Sequence, residues 1–223
     1  MSRYSPPTEG QGELLRALFG AAPASATRWT LAGRPVRRLT PAKAVRLGAG
    51  YVPEDRKVEG LALELGVGEN LLAPWFRPYQ LGGRPRLASE KKWISGVIAS
   101  LSIRTRGALE GAGALSGGNQ QKLVFGRWTD RSRTLILLHD PTRGIDVRAK
   151  QELYRAIIEL SASGVGVLWF STEVEELVNV CHRVFVLYEG KVADELEGDR
   201  LTAEAVVGAA VGANSRTSER EAK

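Results

Sequence analysis

The sequence is poor in the residues that cross-link chains, bind metals and cross membranes. Its single cysteine, Cys181, excludes an internal disulfide and suits a reducing compartment. It has two histidines, His139 and His182, and no metal centre is expected. No apolar run approaches the ~18–20 residues needed to span a bilayer. The first thirty residues lack the basic start and apolar core of a secretory signal. Together these absences predict a cytoplasmic protein.

Charge of one sign is not in large excess either. The net charge of +6 is the balance of 31 Lys and Arg against 25 Asp and Glu. Apart from short basic clusters at 34–38 and 84–92, the basic residues are interleaved with acids, so no nucleic-acid partner is expected. Also missing is any GxxxxGK[ST] phosphate loop; the only Gly-Lys pair, Gly190–Lys191, is followed by Val192. There is no internal repeat. What remains is an ordinary globular balance, 43% apolar and 25% charged, over 223 residues, enough to bury a sizeable core.

The opening MSRYSPPTEGQG reads as loop or disordered end. ELLRALFG (13–20) reads as a short helix stopped by Gly20, and residues 28–39 as a hairpin turning at Gly33–Arg34–Pro35. TPAKAVRLG (40–48) is a second short helix, and Tyr51–Val52 a brief strand entering the charged loop PEDRK. Between 66 and 113, Leu71–Trp75 and Trp93–Leu101 carry apolar positions at helical spacing around a polar link, QLGGRPR: a helical insertion. Then α/β alternation returns. TLILLH (134–139) and VGVLWF (165–170) read as strands buried on both faces. Between them Asp146 caps a helix with Ala149, Leu153, Ala156, Ile157 and Leu160 on one face. A helix at 173–181, a hairpin turning at Gly190, a final helix at 202–212 and a frayed tail complete the chain. Most of the five tryptophans read as core or as a docking surface, and His182 as a surface residue.

One stretch asks for a chemical explanation: ALSGGNQQKLVFGRW, 114–128. Adjacent glycines allow close backbone approach, and a helix start leaves N–H groups unpaired at the positive end of the dipole, a ready anion site.

LSGGNQQK (115–122), a buried strand ending at 139, and DPTRGID (140–146) follow one another in the order of the ABC ATPases, which this chain resembles. With YVPEDRK, EGL and ENL in 51–71, it is similar to the second nucleotide-binding half of the monosaccharide-importer ATPases, over roughly residues 9–212. The resemblance implies an α/β P-loop NTPase fold of the ABC type, with a mixed core sheet and a helical subdomain at about 70–128. The N-terminal strand and P-loop would be truncated. It divides the chain into 1–12 as disordered end or P-loop remnant, 13–212 as ATPase domain, and 213–223 as flexible tail.

In that family two halves meet head to tail over ATP and Mg²⁺. The resemblance therefore gives Ser116, Gly117, Gly118, Asn119 and Gln120 to the γ-phosphate of ATP held by a partner half. Asp146 would reach across the interface, Glu54 takes the Q-loop position, and Thr172 the place of the switch histidine. His139–Asp140 stands where Asp-Glu is usual, as a weakened site or with His139 as catalytic base. Gly10 and Gly12 are either a stump of the phosphate loop or a flexible end. The implied partners are an N-terminal nucleotide-binding half or second ATPase subunit, membrane permeases and, indirectly, a sugar-binding protein. The location would be cytoplasmic, on the inner face of the plasma membrane. The alternatives are a regulatory or structural ABC module, or an ABC ATPase acting on ribosome or DNA.

Overall fold

The computed structural model describes residues 10–26, 28–31, 33–36, 38–75, 87–130 and 132–211, without the side chains of Trp75 and Leu87. The expectations for residues 1–9, the 80–86 link, the tail beyond 212 and the Trp75 side chain lie outside the described residues.

The apolar run at 134–139 forms the middle of a three-stranded parallel sheet. Strand β3 (Ala49–Val52) pairs with β4 (Leu135–His139), and β4 with β5 (Gly166–Phe170). Ile136, Leu137 and Leu138 are fully buried because both faces of β4 are covered, which is why the run does not alternate. Helix α1 (Gln11–Phe19) packs on β4 and β3, burying Leu15 and Phe19. Phe19 stacks on Tyr51 at 5.3 Å, and the Trp128 indole N–H donates to the Tyr51 carbonyl at 2.9 Å. Gly20 ends α1 in the left-handed conformation, its N–H returned to the last turn.

Two antiparallel pairs stand apart from this sheet. β1 (Thr30–Leu31) and β2 (Arg34–Pro35) form the expected hairpin, but Arg34 and Pro35 belong to its second strand rather than to the turn. The register places Leu31 opposite Arg34, which leaves only positions 32–33 for the connection. β6 (Arg183–Tyr188) and β7 (Lys191–Glu197) turn at Glu189–Gly190, both at positive φ.

The connections are helical. α2 (Pro41–Arg46) is capped by the Thr40 hydroxyl, α6 (Val147–Ala162) joins β4 to β5, and α7 (Val174–Val180) joins β5 to β6. Residues 203–211 form the last helix, α8. On α6, Ala149, Leu153 and Ile157 are buried, with Ala156 and Leu160 half-buried against the same core. The helical region comprises α3 (Val67–Leu72), α4 (Leu87–Ser100) and α5 (Gly117–Gly126). These meet where Gly126 lies so close to Val97, Leu101 and Leu71 that a Cβ would come within 2.8 Å of Val97. Trp128 and Trp169 are core residues, while Trp29 and Trp93 pack on the core from its margin.

Candidate functional site

The C-terminal end of β4 carries His139 and Asp140, 8% and 3% exposed. The Asp140 backbone leaves the strand in the left-handed region, at φ 47°, and its N–H donates to the Phe170 carbonyl at 2.7 Å. The Thr172 hydroxyl donates to the Asp140 carboxylate at 2.9 Å. The three residues assigned to catalysis are therefore brought together by the parallel register of β4 and β5. Burial pushes the His139 pKa below its ordinary value, with Arg16 acting the same way and Asp140 and Glu59 opposing. Its Nδ1 faces the Tyr51 hydroxyl at 3.2 Å, and its Nε2 lies 3.6 Å from Glu54. Burial raises Tyr51 to about 12, so the phenol keeps its proton.

Glu54 also pairs with Arg143 of the PTRGID loop. The two line one cleft of about 430 Å³ with Arg56 and Lys57. Asp55 caps a π-helical turn over Arg56–Gly60 through the N–H groups of Lys57 and Val58. That turn aims Arg56 at the Arg143 carbonyl, 3.3 Å away, and against the start of α5.

Helix α5 begins at Gly117 with Ser116 as N-cap, yet no side chain caps it. Its first N–H groups, of Gly117, Gly118 and Asn119, are left at the open end. The adjacent glycines answer to packing: a Cβ on Gly117 would lie 2.8 Å from the Arg56 guanidinium, and one on Gly118 2.6 Å from the Ala149 methyl. The Asn119 amide donates to Ser116 Oγ at 2.9 Å, which leaves the hydroxyl proton to be donated outward. Its carbonyl accepts from the Arg104 N–H, and the Gln120 amide donates to the Ala112 carbonyl. Asn119 and Gln120 are thus buried and hydrogen-bonded within the motif, and Asn119 also borders the recess beside Ser116. Asp146 caps α6 through Ala149 N–H at 2.9 Å, and lines a 60 Å³ recess with Ser116, Gly118, Arg104 and Arg148. The expected helix cap is observed, and Asp146 also borders the recess.

The start of α1 has a different character. Gly12 belongs to the helix rather than to a loop, and a Cβ there would come 2.6 Å from His139 Cε1. The first turn offers Glu13, with no lysine and no hydroxyl, and Arg16 is paired with Glu59 at 3.0 Å. A magnesium-triphosphate needs cations and oxygen ligands at this end. The residues present at Gly10–Gly12 do not fit that group. Among the described residues no cluster of three or more His, Cys, Asp and Glu gathers to hold a metal.

Solved structures match this arrangement along most of the chain. A nucleotide-free ATP-binding cassette from an ABC transporter matches with a TM-score of 0.74 over 91% of this chain and 81% of that one, at 19% identity. Another such cassette, in its ADP conformation, matches at 0.72 and 20% identity over 93% and 85%.

The fold is that of an ATP-binding cassette.

In sequence the cassette is similar to the ribose import ATP-binding protein RbsA 1 of Mesorhizobium japonicum, at 43% identity over 205 residues, and to RbsA of Geobacillus kaustophilus, at 40% over 205. The matches take in 91% and 92% of this chain but only 40% and 42% of those proteins. The chain spans about two-fifths of the length of the curated relatives it matches. No protein-family model matches it. The resemblance to sugar-import ATPases drawn from the motifs is borne out over the stretch the chain covers.

Two positions of the cassette carry more than their motifs announce. Glu176, 5% exposed, accepts hydrogen bonds from Thr142 (2.6 Å), Ser171 (2.7 Å), Tyr154 (2.7 Å) and Lys150 (3.0 Å). Burial alone would raise its carboxyl, but these donors hold it below the usual carboxylate range. Glu176 thereby ties the loop bearing Asp140 to the loop bearing Thr172. Asn70, 1% exposed, accepts from the Ala62 N–H and donates to the Ala62, Leu65 and Gly66 carbonyls, folding the loop that precedes α3. Within EVEELV, Glu176 is the acid that falls on the helix face with Leu177, a weak cue that sequence reading passed over. His182, read as a surface residue, is exposed between α7 and β6.

Proposed function

We propose that this chain is a nucleotide-binding half of a monosaccharide-importer ATPase, whose α5 start completes an ATP site held mainly by a partner half. The observation that carries the reading is the open start of α5, with the Ser116 hydroxyl turned outward by Asn119 and Asp146 beside it. ATP bound on the partner side, with Mg²⁺, would supply the phosphoryl group and the charge to be stabilised. Ser116 then donates one hydrogen bond to a terminal phosphate oxygen, and the N–H groups at Gly117–Asn119 add the positive end of the helix. These contacts exist only when the halves are closed, so they favour the closed state by their differential strength. Motion passes from this site along Arg56 to the Arg143–Glu54 pair, and from Glu54 to a membrane permease. This chain's own pocket contributes little hydrolysis, because α1 brings no lysine and His139–Asp140 replaces two oxygen-bearing acids.

The test is ATP turnover by the purified chain alone and mixed with an N-terminal half bearing a complete phosphate loop. Turnover only in the mixture, abolished by Ser116→Arg, is the expected result. Family-like turnover by the chain alone overturns the reading of a silent pocket, and full turnover with Ser116→Arg overturns the role given to α5.

A further inference from the structure

The recess beside the start of α5 is lined by the cations Arg104, Lys122 and Arg148 and by the acids Asp146 and Glu152. Glu152 pairs with Lys122 and, at 3.1 Å, with Arg148. Asp146 gives one oxygen to the cap of α6. The exposed guanidinium of Arg104 has neither an ion pair nor a hydrogen bond among the described residues. Arg104 is therefore the cation of this recess that the neighbouring acids leave uncompensated.

The backbone that carries it is held from both sides. Ile103 is buried, and its N–H donates to the Ile98 carbonyl at 2.9 Å. Ser102 lies in the left-handed region at φ 49°, uncommon for a residue other than glycine. Its carbonyl accepts from the Lys122 ammonium at 3.1 Å. The Thr105 hydroxyl donates to the Glu110 carboxylate at 2.7 Å. Arg104 itself donates its N–H to the Asn119 side-chain carbonyl at 2.9 Å, and the same amide donates to Ser116 Oγ. One side chain thus fixes the Arg104 backbone relative to the Ser116 hydroxyl. An arginine anchored in this way loses only side-chain freedom when it meets an anion. The positive end of α5 adds to the field at the same place.

We propose that Arg104 binds the phosphate chain of the ATP held by a partner half, beside the terminal oxygen that Ser116 takes. The inference rests on the function proposed above and adds to it a contact residue outside LSGGNQQK. The guanidinium fork matches two phosphate oxygens, and it brings a full positive charge to a group of neutral donors. Its attraction acts on bound ATP before and during phosphoryl transfer alike. It therefore strengthens binding and leaves the rate of the bound complex largely as it was.

The probe is Mg-ATP, with turnover measured in a mixture of this chain and an N-terminal half bearing a complete phosphate loop. Arg104→Ala is expected to raise KM for ATP about tenfold and to keep kcat within about twofold. Arg104→Lys, which keeps the charge, is expected to recover part of the loss. Added potassium chloride is expected to narrow the gap between wild type and Arg104→Ala, because it screens the charge that the variant lacks. The urea midpoint of Arg104→Ala is expected to equal that of wild type, which separates a lost contact from a disturbed loop. A wild-type KM in Arg104→Ala, a loss confined to kcat, or a gap that salt leaves untouched overturns the role of Arg104. If Ser116→Arg is silent in the same assay, the function proposed above survives that result. Turnover that persists in Ser116→Arg, or no turnover in the wild-type mixture, overturns that function and this inference with it.

Discussion

The hydroxyl of Thr172 donates to the carboxylate of Asp140 at 2.9 Å, although 32 positions separate them in sequence. The contact exists because β4 and β5 are adjacent and parallel, so both strands end at the same edge of the sheet and release their loops side by side. Asp140 is 3% exposed, so its carboxylate depends on donors within the fold.

Thr172→Val removes that donor while keeping shape. A hydrogen bond to a charged group is worth about 1.5–3 kcal/mol, and a loss of that order is expected in urea unfolding. Thr172→Ser restores the hydroxyl and is expected to recover most of it. Equal midpoints for wild type and Thr172→Val would show that Asp140 does not need this partner.

Glu176 is the stronger structural tie. Glu176→Ala leaves Lys150, Tyr154, Thr142 and Ser171 without their acceptor, and removing one partner from a buried charged pair costs about 3–5 kcal/mol. The carboxyl is depressed in the fold, so its stabilising contribution is present above the ordinary value of 4.5 and lost as pH falls through the folded value. Acid melts of Glu176→Gln are therefore expected to start from a lower stability and to fall less steeply below pH 4.5 than those of wild type. Parallel acid limbs would remove Glu176 from this role.

His139 titrates in the opposite chemical sense with the same pH sign. Its folded pKa lies below 6.5 because burial disfavours the imidazolium, so the unfolded chain binds the extra proton. Stability from this residue is full above pH 6.5 and declines as pH falls below it. His139→Gln is expected to flatten that part of the stability profile, read by thermal melts across the window. An unchanged profile would mean that another group carries it.

Gly118 meets Ala149 so closely that an added methyl would lie 2.6 Å from its Cβ. Gly118→Ala is expected to destabilise by about 1–3 kcal/mol through overpacking. Ala149→Gly in the same chain opens the space and is expected to recover part of the loss, a coupling that a double-mutant cycle measures. Additive effects would show that the glycine answers to backbone conformation and not to this contact.

The local elements follow from the sequence by itself, because each rests on nearest neighbours: the apolar runs of β4 and β5, the Thr40 and Asp146 caps, the Gly20 stop and the turn at Gly190. The order LSGGNQQK, strand, DPTRGID was also enough to point to the ATP-binding cassette. Tertiary structure alone decided who touches whom. It buried Asn119 and Gln120 within the motif, set the glycines of α5 against Arg56 and Ala149, laid Gly12 on His139, and gathered four donors around Glu176. A motif records residue types at a spacing along the chain, whereas these contacts depend on strand register and helix approach, which close packing fixes only when the whole sheet and its covering helices are in place.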